Sequence, residues 1–156
     1  MKKRALPIIF ATLSVAWALF IFSNSLQTGE SSGEMSGSVT EFINGILGSI
    51  SPSLEISHRF VRKAAHFCEF GVLSTLVCFA IYFWLNENKR REILCLLAIP
   101  VSALVASCDE FIQLFVDGRG ASVIDVLIDT SGASAAALLF LGIVLLIKLH
   151  KKRTKI

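Results

Sequence analysis

The sequence has few charged residues. Asp, Glu, Lys and Arg make up 17% of its 156 residues, whereas about 25% is typical of soluble globular domains. Hydrophobic residues account for 54% of the chain, and its mean hydropathy is +0.69. This composition argues against a soluble globule and predicts that much of the chain lies in a lipid bilayer.

Signatures of several other protein classes are absent. The net charge is +3, but the basic residues are not interleaved with aromatic ones, so nothing indicates nucleic-acid binding. The first apolar run is not followed by a small-x-small cleavage motif, and we expect it to be an uncleaved anchor. The cysteines show no Cys-x-x-Cys spacing, which favours small buried hydrophobes over a disulfide or metal role. They are Cys68, Cys78, Cys95 and Cys108.

Four apolar runs are long enough to cross a membrane, which takes about 20 residues per helix. They are residues 5–23, 64–85, 93–116 and 123–147. Basic residues mark cytoplasmic loops, and the N-terminal tail, the second connection and the C-terminal tail carry three, three and five of the 15 Lys and Arg residues. The sequence predicts an all-α membrane protein, one domain over residues 1–156, with four transmembrane helices and both termini cytoplasmic.

The first outward loop, residues 24–59, is rich in Ser and Gly. Apolar residues recur within it at i, i+3, i+4, i+7, i+8 and i+11, which is the spacing of one helical face. They are Val39, Phe42, Ile43, Ile46, Leu47 and Ile50. This pattern predicts a short amphipathic helix that lies on the outer leaflet or caps the bundle.

Acidic residues are concentrated near the outer ends of spans two, three and four. A rise of about 1.5 Å per residue brings them to one depth, and their spacing places them on one face of each helix. A carboxylate at mid-helix costs about 2.5–3.5 kcal/mol on insertion scales, so these groups should face one another or water. We expect an extracytoplasmic polar pocket with the candidate catalytic residues His66, Glu69, Asp109, Glu110, Asp125 and Asp129.

The chemistry of this acidic cluster is open at the level of sequence. Crowded carboxylates repel one another, so one of them could hold a proton and act as a general acid or base. Alternatively, a divalent cation held by oxygen ligands and His66 would balance the charge, although the spacing matches no metal motif and the metal ligands stay unknown. A structural alternative is interhelical hydrogen bonding with a salt bridge from Arg119.

Four basic residues are predicted on the outer side, and with Gln113 they form the candidate binding set. The set is Arg59, Arg62, Lys63, Gln113 and Arg119. One interpretation is snorkelling of long basic side chains to lipid headgroups. The other is recognition of an anionic headgroup or pyrophosphate, for which Arg is the preferred bidentate donor.

Two segments resemble the VanZ-like family of bacterial multi-pass membrane proteins. They are "RKAAHFCEFGVL" and "DEFIQLFVDGRGASVIDVLIDTSGA", and "FSNSLQTGESSGEMS" is similar to the Ser-rich outward segment of that family. The resemblance spans roughly residues 18–140, and the family's motifs match every candidate site residue except Arg59. Two positions depart from the family pattern: Ile112 stands where many members have His, and Asp129 where many have Asn.

The resemblance implies a bacterial cytoplasmic membrane protein associated with altered susceptibility to the glycopeptide teicoplanin, without a settled reaction. Besides the lipid bilayer, the expected partner is an anionic lipid, a lipid-linked wall precursor or the lipoglycopeptide itself. Whether the protein is an enzyme is open: the pocket could bind its ligand, or perform acid/base or metal-assisted hydrolysis or transfer on it. A non-catalytic assembly partner is a third alternative, and the oligomeric state is unknown.

Overall fold

The computed structural model describes residues 5–51, 55–85, 88 and 90–154, and these residues form helices joined by short turns. The helices are α1 (Ala5–Ser25), α2 (Gly29–Ile50), α3 (His58–Trp84), α4 (Arg91–Leu94), α5 (Ala98–Gln113) and α6 (Val123–Arg153). A 3₁₀ turn, Cys95–Leu97, joins α4 to α5. Within these described ranges the chain contains no strand.

Four segments are long and apolar enough to cross a membrane: Ala5–Ser25, His58–Trp84, Arg91–Gln113 and Val123–Arg153. The predicted all-α class with four spans is therefore confirmed. The amphipathic helix of the first loop is also confirmed, as α2, and it begins ten residues before Val39. The cytoplasmic placement of the termini stays a prediction, because helix length and composition identify the spans but not their orientation across the membrane.

The third span ends at Gln113, three residues before the end of its apolar run. Residues after it form turns, in which the amide of Phe115 donates to Ile112 O and that of Val116 to Gln113 O. The chain then reverses at Gly118, whose φ of +73° lies in the left-handed region that favours glycine.

The backbones of helices α3 and α6 are in direct contact. A Cβ atom at Gly132 would overlap the backbone carbonyl of Phe67, and the Gly71 position faces the backbone of Gly132. Ser74 Oγ donates to Ala133 O across the same interface at 2.8 Å. Small residues allow this backbone contact, which is a common way to associate helices in lipid.

The buried core consists of two clusters along the bundle. One contains Ile21, Phe70, Leu73, Ala106 and Ala133. The other contains Cys78, Cys95, Ala98, Ala137 and Phe140. The carboxylate of Glu92 lies beside the second cluster, where it contacts Lys148 of α6 and accepts from Arg91 Nε at 3.2 Å.

The interpretation of all four cysteines as buried is correct for only two of them. Cys78 and Cys95 are buried, whereas Cys68 and Cys108 are exposed, and all four are free thiols. The two exposed cysteines lie on faces of α3 and α5 that point away from the bundle. In a membrane span such a face meets lipid, in which a thiol behaves as a small hydrophobe.

Backbone contacts tie the start of α2 to the loop between α5 and α6. The amide of Gly29 donates to Asp117 O at 3.0 Å, and a Cβ atom at Gly29 would overlap the carbonyl oxygen of Gly118. This contact places the connection between α1 and α3 beside the loop that carries Arg119.

Candidate functional site

A small cavity lies among α3, α5, α6 and the α5–α6 loop, and we call it the polar cavity. Its accessible volume is about 20 Å³, enough for one water molecule or ion. It brings together eight of the eleven predicted site residues: Arg62, Lys63, His66, Glu110, Gln113, Arg119, Asp125 and Asp129. The expected convergence of polar faces from three spans is present in the structure.

The other three predicted site residues lie around the polar cavity. Asp109 is fully buried, and one of its oxygens lies within 4.8 Å of potential ligand atoms of His66 and Asp129. Glu69 lies in an adjoining cleft. Arg59 does not line the polar cavity, because it lies in the first turn of α3, where it lines another groove together with Arg62.

The rim of the polar cavity is held by an ion pair. Lys63 Nζ lies 2.6 Å from Asp125 Oδ1, and about a third of each side chain is exposed. Pairs with this exposure typically contribute no more than about 1 kcal/mol to stability. The pair neutralises Asp125 and positions the start of α6 against α3.

Glu110 is fixed by the backbone at the start of α6. Its Oε2 accepts from the amide of Ser122 at 2.7 Å, and Ser122 is itself the N-cap residue of α6, whose side chain accepts from Asp125 N. An acidic group at a helix N-terminus interacts favourably with the unpaired amides and the helix dipole. The Ser122 amide and the N-terminus of α6 therefore stabilise the buried Glu110 carboxylate, and no bound ligand is needed to explain its burial.

Asp109 is partly satisfied by a side-chain contact. Gln113 Nε2 donates to Asp109 Oδ2 at 3.0 Å and to Ser25 Oγ at 3.2 Å. Asp109 Oδ1 is buried and has no hydrogen-bond partner among the residues that the structure describes. One oxygen of this carboxylate therefore remains available.

His66 and Asp129 face each other within the cluster. His66 Nδ1 lies 3.7 Å from Asp129 Oδ1, which is too long for a hydrogen bond. The Asp129 side chain is completely buried, and neither of its oxygens has a partner within the described ranges. Buried carboxylates are normally satisfied, so these atoms mark a position where a proton, water or cation belongs.

Arg119 enters the site from the loop. Its NH2 group donates to the backbone oxygen of Asn24 at 3.2 Å, and its Nε is buried without a partner in the described part of the chain. Burial, followed by repulsion from Arg62, lowers the pKa of Arg119 from its ordinary value. The salt bridge considered for Arg119 is not formed with any described carboxylate.

A larger cleft adjoins the polar cavity between α1, α2 and α3, and we call it the amphiphilic cleft. Its accessible volume is about 400 Å³. Apolar side chains form one part of its wall: Phe20, Met35, Val39 and Val61. Polar side chains form the other part: Asn24, Arg62, His66, Glu69 and Arg119. His66, Arg62 and Arg119 line both spaces, so the two are adjacent.

Sequence reasoning missed four residues that support the site. Asn24 Nδ2 donates to Glu69 Oε1 at 3.3 Å, and Trp17 Nε1 donates to Glu69 O at 2.9 Å. Ser25 and Ser122 hold Gln113 and Glu110, respectively. The polar pair Asn24–Ser25 at the C-terminal end of the first span was the available signal, since it lies near the depth of the acidic cluster.

Comparison with known proteins gives one match. The family model described as VanZ/LLP1 matches residues 10–147, a range that contains the polar cavity and the amphiphilic cleft. No curated protein and no solved structure matches the chain.

Proposed function

Because the chain belongs to the VanZ/LLP1 family and is a multi-pass membrane protein with four spans, we propose that it binds a cell-envelope amphiphile. The ligand's anionic head lies between Arg62 and Arg119, and its tail lies along the apolar wall of the amphiphilic cleft. One observation carries this proposal: Arg62 and Arg119 line a cleft whose wall also contains the apolar side chains of Phe20, Met35, Val39 and Val61.

The charges around the cleft favour an anion at this position. Guanidinium groups donate paired hydrogen bonds to phosphate or carboxylate oxygens, and the buried Nε of Arg119 has no partner among the described residues. Three acids that line the two spaces are already engaged, since Glu69 accepts from Asn24, Asp125 is paired with Lys63 and Glu110 accepts from the Ser122 amide. Arg119 is held by the Asn24 carbonyl, which distinguishes it from a side chain that snorkels freely.

The amphipathic helix gives the ligand a route from the membrane. Phe42, Ile46 and Ile50 are at least half exposed on α2, as expected of a helix that lies in the outer leaflet. Met35 and Val39 of the same helix line the cleft. Two amphiphiles on the outer side of a bacterial cytoplasmic membrane could enter the cleft by this route. They are a lipid-linked wall precursor and the lipoglycopeptide teicoplanin.

Native mass spectrometry of purified protein tests the binding directly, with a polyprenyl phosphate and the uncharged polyprenol as probes. We expect one polyprenyl phosphate to be retained per chain, and affinity to fall roughly 10- to 100-fold when Arg119→Gln removes a charge-assisted donor. Lys151→Gln, in the exposed last turn of α6, is the matched control and should bind like wild type. Equal retention of polyprenol, or an equal loss in the control, would refute the proposal.

The association with glycopeptide susceptibility needs an experiment in cells. Teicoplanin and vancomycin susceptibility is compared between cells expressing wild type and Glu110→Gln at matched levels. Gln keeps the acceptor for the Ser122 amide and removes the negative charge. A teicoplanin-selective effect that the well-folded variant loses supports a working site, whereas aggregation of the variant would favour a structural role for the acids.

A catalytic version of the same site is the second candidate. It is favoured by the Asp129 carboxylate, which lies unpaired beside His66 at the boundary with the amphiphilic cleft. Such a pair can move a proton during hydrolysis or transfer on a lipid-linked substrate. Mass spectrometry of envelope lipids from cells with and without the protein separates the candidates, because binding alone leaves every species chemically unchanged.

A further inference from the structure

We propose that His66, Asp109 and Asp129 form a binding site for a divalent transition-metal cation beside the polar cavity. Each residue offers one ligand atom, and the three atoms all lie within 4.8 Å of one another. The residues come from three different helices, α3, α5 and α6, so the site exists only in the folded bundle. The sequence spacing alone matches no metal motif.

Unsatisfied buried atoms are an independent indication of a ligand. His66 Nδ1, Asp109 Oδ1 and both Asp129 oxygens are buried without hydrogen-bond partners among the described residues. Asp109 and Asp129 are 0% exposed, and leaving a carboxylate unpaired at such a position is costly. A cation bound among the three side chains would give each of them a partner and offset the charge of both carboxylates.

Neighbouring contacts hold the ligands in place. Gln113 donates to Asp109 Oδ2 and leaves Oδ1 free for a cation. Asp129 lies one turn before Gly132, where the backbones of α3 and α6 are in contact. Hydrogen bonds that orient a ligand in this way commonly contribute 10- to 100-fold to metal affinity.

The ligand set favours Zn²⁺ over Mg²⁺ or Ca²⁺. An imidazole nitrogen with two carboxylates suits Zn²⁺, which accepts three protein ligands and leaves a fourth position open. Ca²⁺ requires six or more oxygen ligands, and Mg²⁺ keeps near-ideal octahedral geometry. The accessible space of about 20 Å³ in the polar cavity is enough for one water molecule at the open position.

Metal binding is measured on the full chain in detergent, after EDTA treatment and desalting, with Zn²⁺ as the probe. We expect one tightly bound Zn²⁺ per chain. His66→Gln, Asp109→Asn and Asp129→Asn should each weaken binding at least about tenfold. Asp117→Asn, an exposed loop carboxylate, is the matched control, and the Cys68→Ser/Cys108→Ser double variant removes the two exposed thiols. Both controls should bind Zn²⁺ like wild type.

X-ray absorption of Zn²⁺-loaded wild type tests the ligand set without relying on any variant. The expected first shell contains nitrogen and oxygen at about 2.0–2.2 Å and no sulfur, which would be found at about 2.3 Å. Sulfur ligation, unchanged affinity in Asp129→Asn, or failure of wild type to retain Zn²⁺ would overturn the metal site. Binding of polyprenyl phosphate by EDTA-treated protein is a separate readout, so the failure of one proposal is distinguishable from that of the other.

Discussion

Gly132→Ala should destabilise the bundle, because the added methyl group meets backbone. Its Cβ atom would overlap the Phe67 carbonyl of α3, and a backbone atom cannot rotate away as a side chain can. Overpacking costs about 1–3 kcal/mol, and we expect the upper end here. Replacing Gly by Ala recovers up to about 1 kcal/mol of helix propensity, which leaves a net loss of about 2 kcal/mol.

Gly142→Ala is the control for this substitution. Gly142 lies in the same helix, and nothing lies within 4 Å of its Cβ position. This variant gains the same propensity without the overlap, so it should be as stable as wild type or slightly more stable. The difference between the two variants isolates the overlap, at about 3 kcal/mol.

Thermal unfolding in detergent, followed by circular dichroism, measures both variants. A net loss of about 2 kcal/mol predicts a Tm lowered by roughly 4–8 °C for Gly132→Ala. Separation of α3 from α6 also moves Asp129 away from His66, so Zn²⁺ affinity should fall with it. Equal Tm values for Gly132→Ala and Gly142→Ala would refute the backbone contact between the helices and the positioning of the site by that contact.

Three further predictions concern the cap, the rim and the topology. Ser122→Ala removes the N-cap of α6 and should lower the free energy of unfolding by about 1 kcal/mol; an unchanged Tm would contradict this. A double-mutant cycle on Lys63 and Asp125 should give a coupling energy of at most about 1 kcal/mol that falls with salt, and a larger salt-independent value would show a buried pair. In intact cells with a cysteine-free background, an impermeant maleimide should label Asp117→Cys and leave Thr154→Cys unlabelled, and the reverse pattern would invert the predicted orientation.

The number of spans was predictable from the sequence because membrane crossing depends on apolar length. The amphipathic α2 followed from the spacing that begins at Val39. The convergence of His66, Glu110 and Asp129 followed from a further constraint, since polar groups at one depth of a bilayer must meet one another.

The exposure of individual cysteines and the position of Arg59 depend on tertiary contacts, which the hydropathy pattern does not specify. In lipid, the outward and inward faces of a helix are equally apolar, so hydropathy could not show that Cys68 and Cys108 are exposed while Cys78 is buried. Arg59 shares a helical stripe with Arg62 and lines a groove with it, but only Arg62 also lines the polar cavity.

The partner of Arg119 was also beyond prediction. Opposite charge favoured a carboxylate, whereas the structure gives the backbone oxygen of Asn24. That contact depends on the reversal at Gly118 and on the packing of the loop against Gly29. Both are consequences of how the two outward loops meet, which no local sequence pattern specifies.

Photocrosslinking tests most directly whether the amphiphilic cleft holds an anionic amphiphile. Protein in nanodiscs is irradiated with a polyprenyl phosphate that carries a photoreactive group on its tail, and adducts are mapped by peptide mass spectrometry. We predict adducts on segments that contain Phe20, Met35 and Val39. Excess polyprenyl phosphate without the photoreactive group should suppress these adducts, and excess uncharged polyprenol should not. Adducts spread evenly over the outer faces of the spans, or suppressed equally by polyprenol, would contradict binding in the cleft.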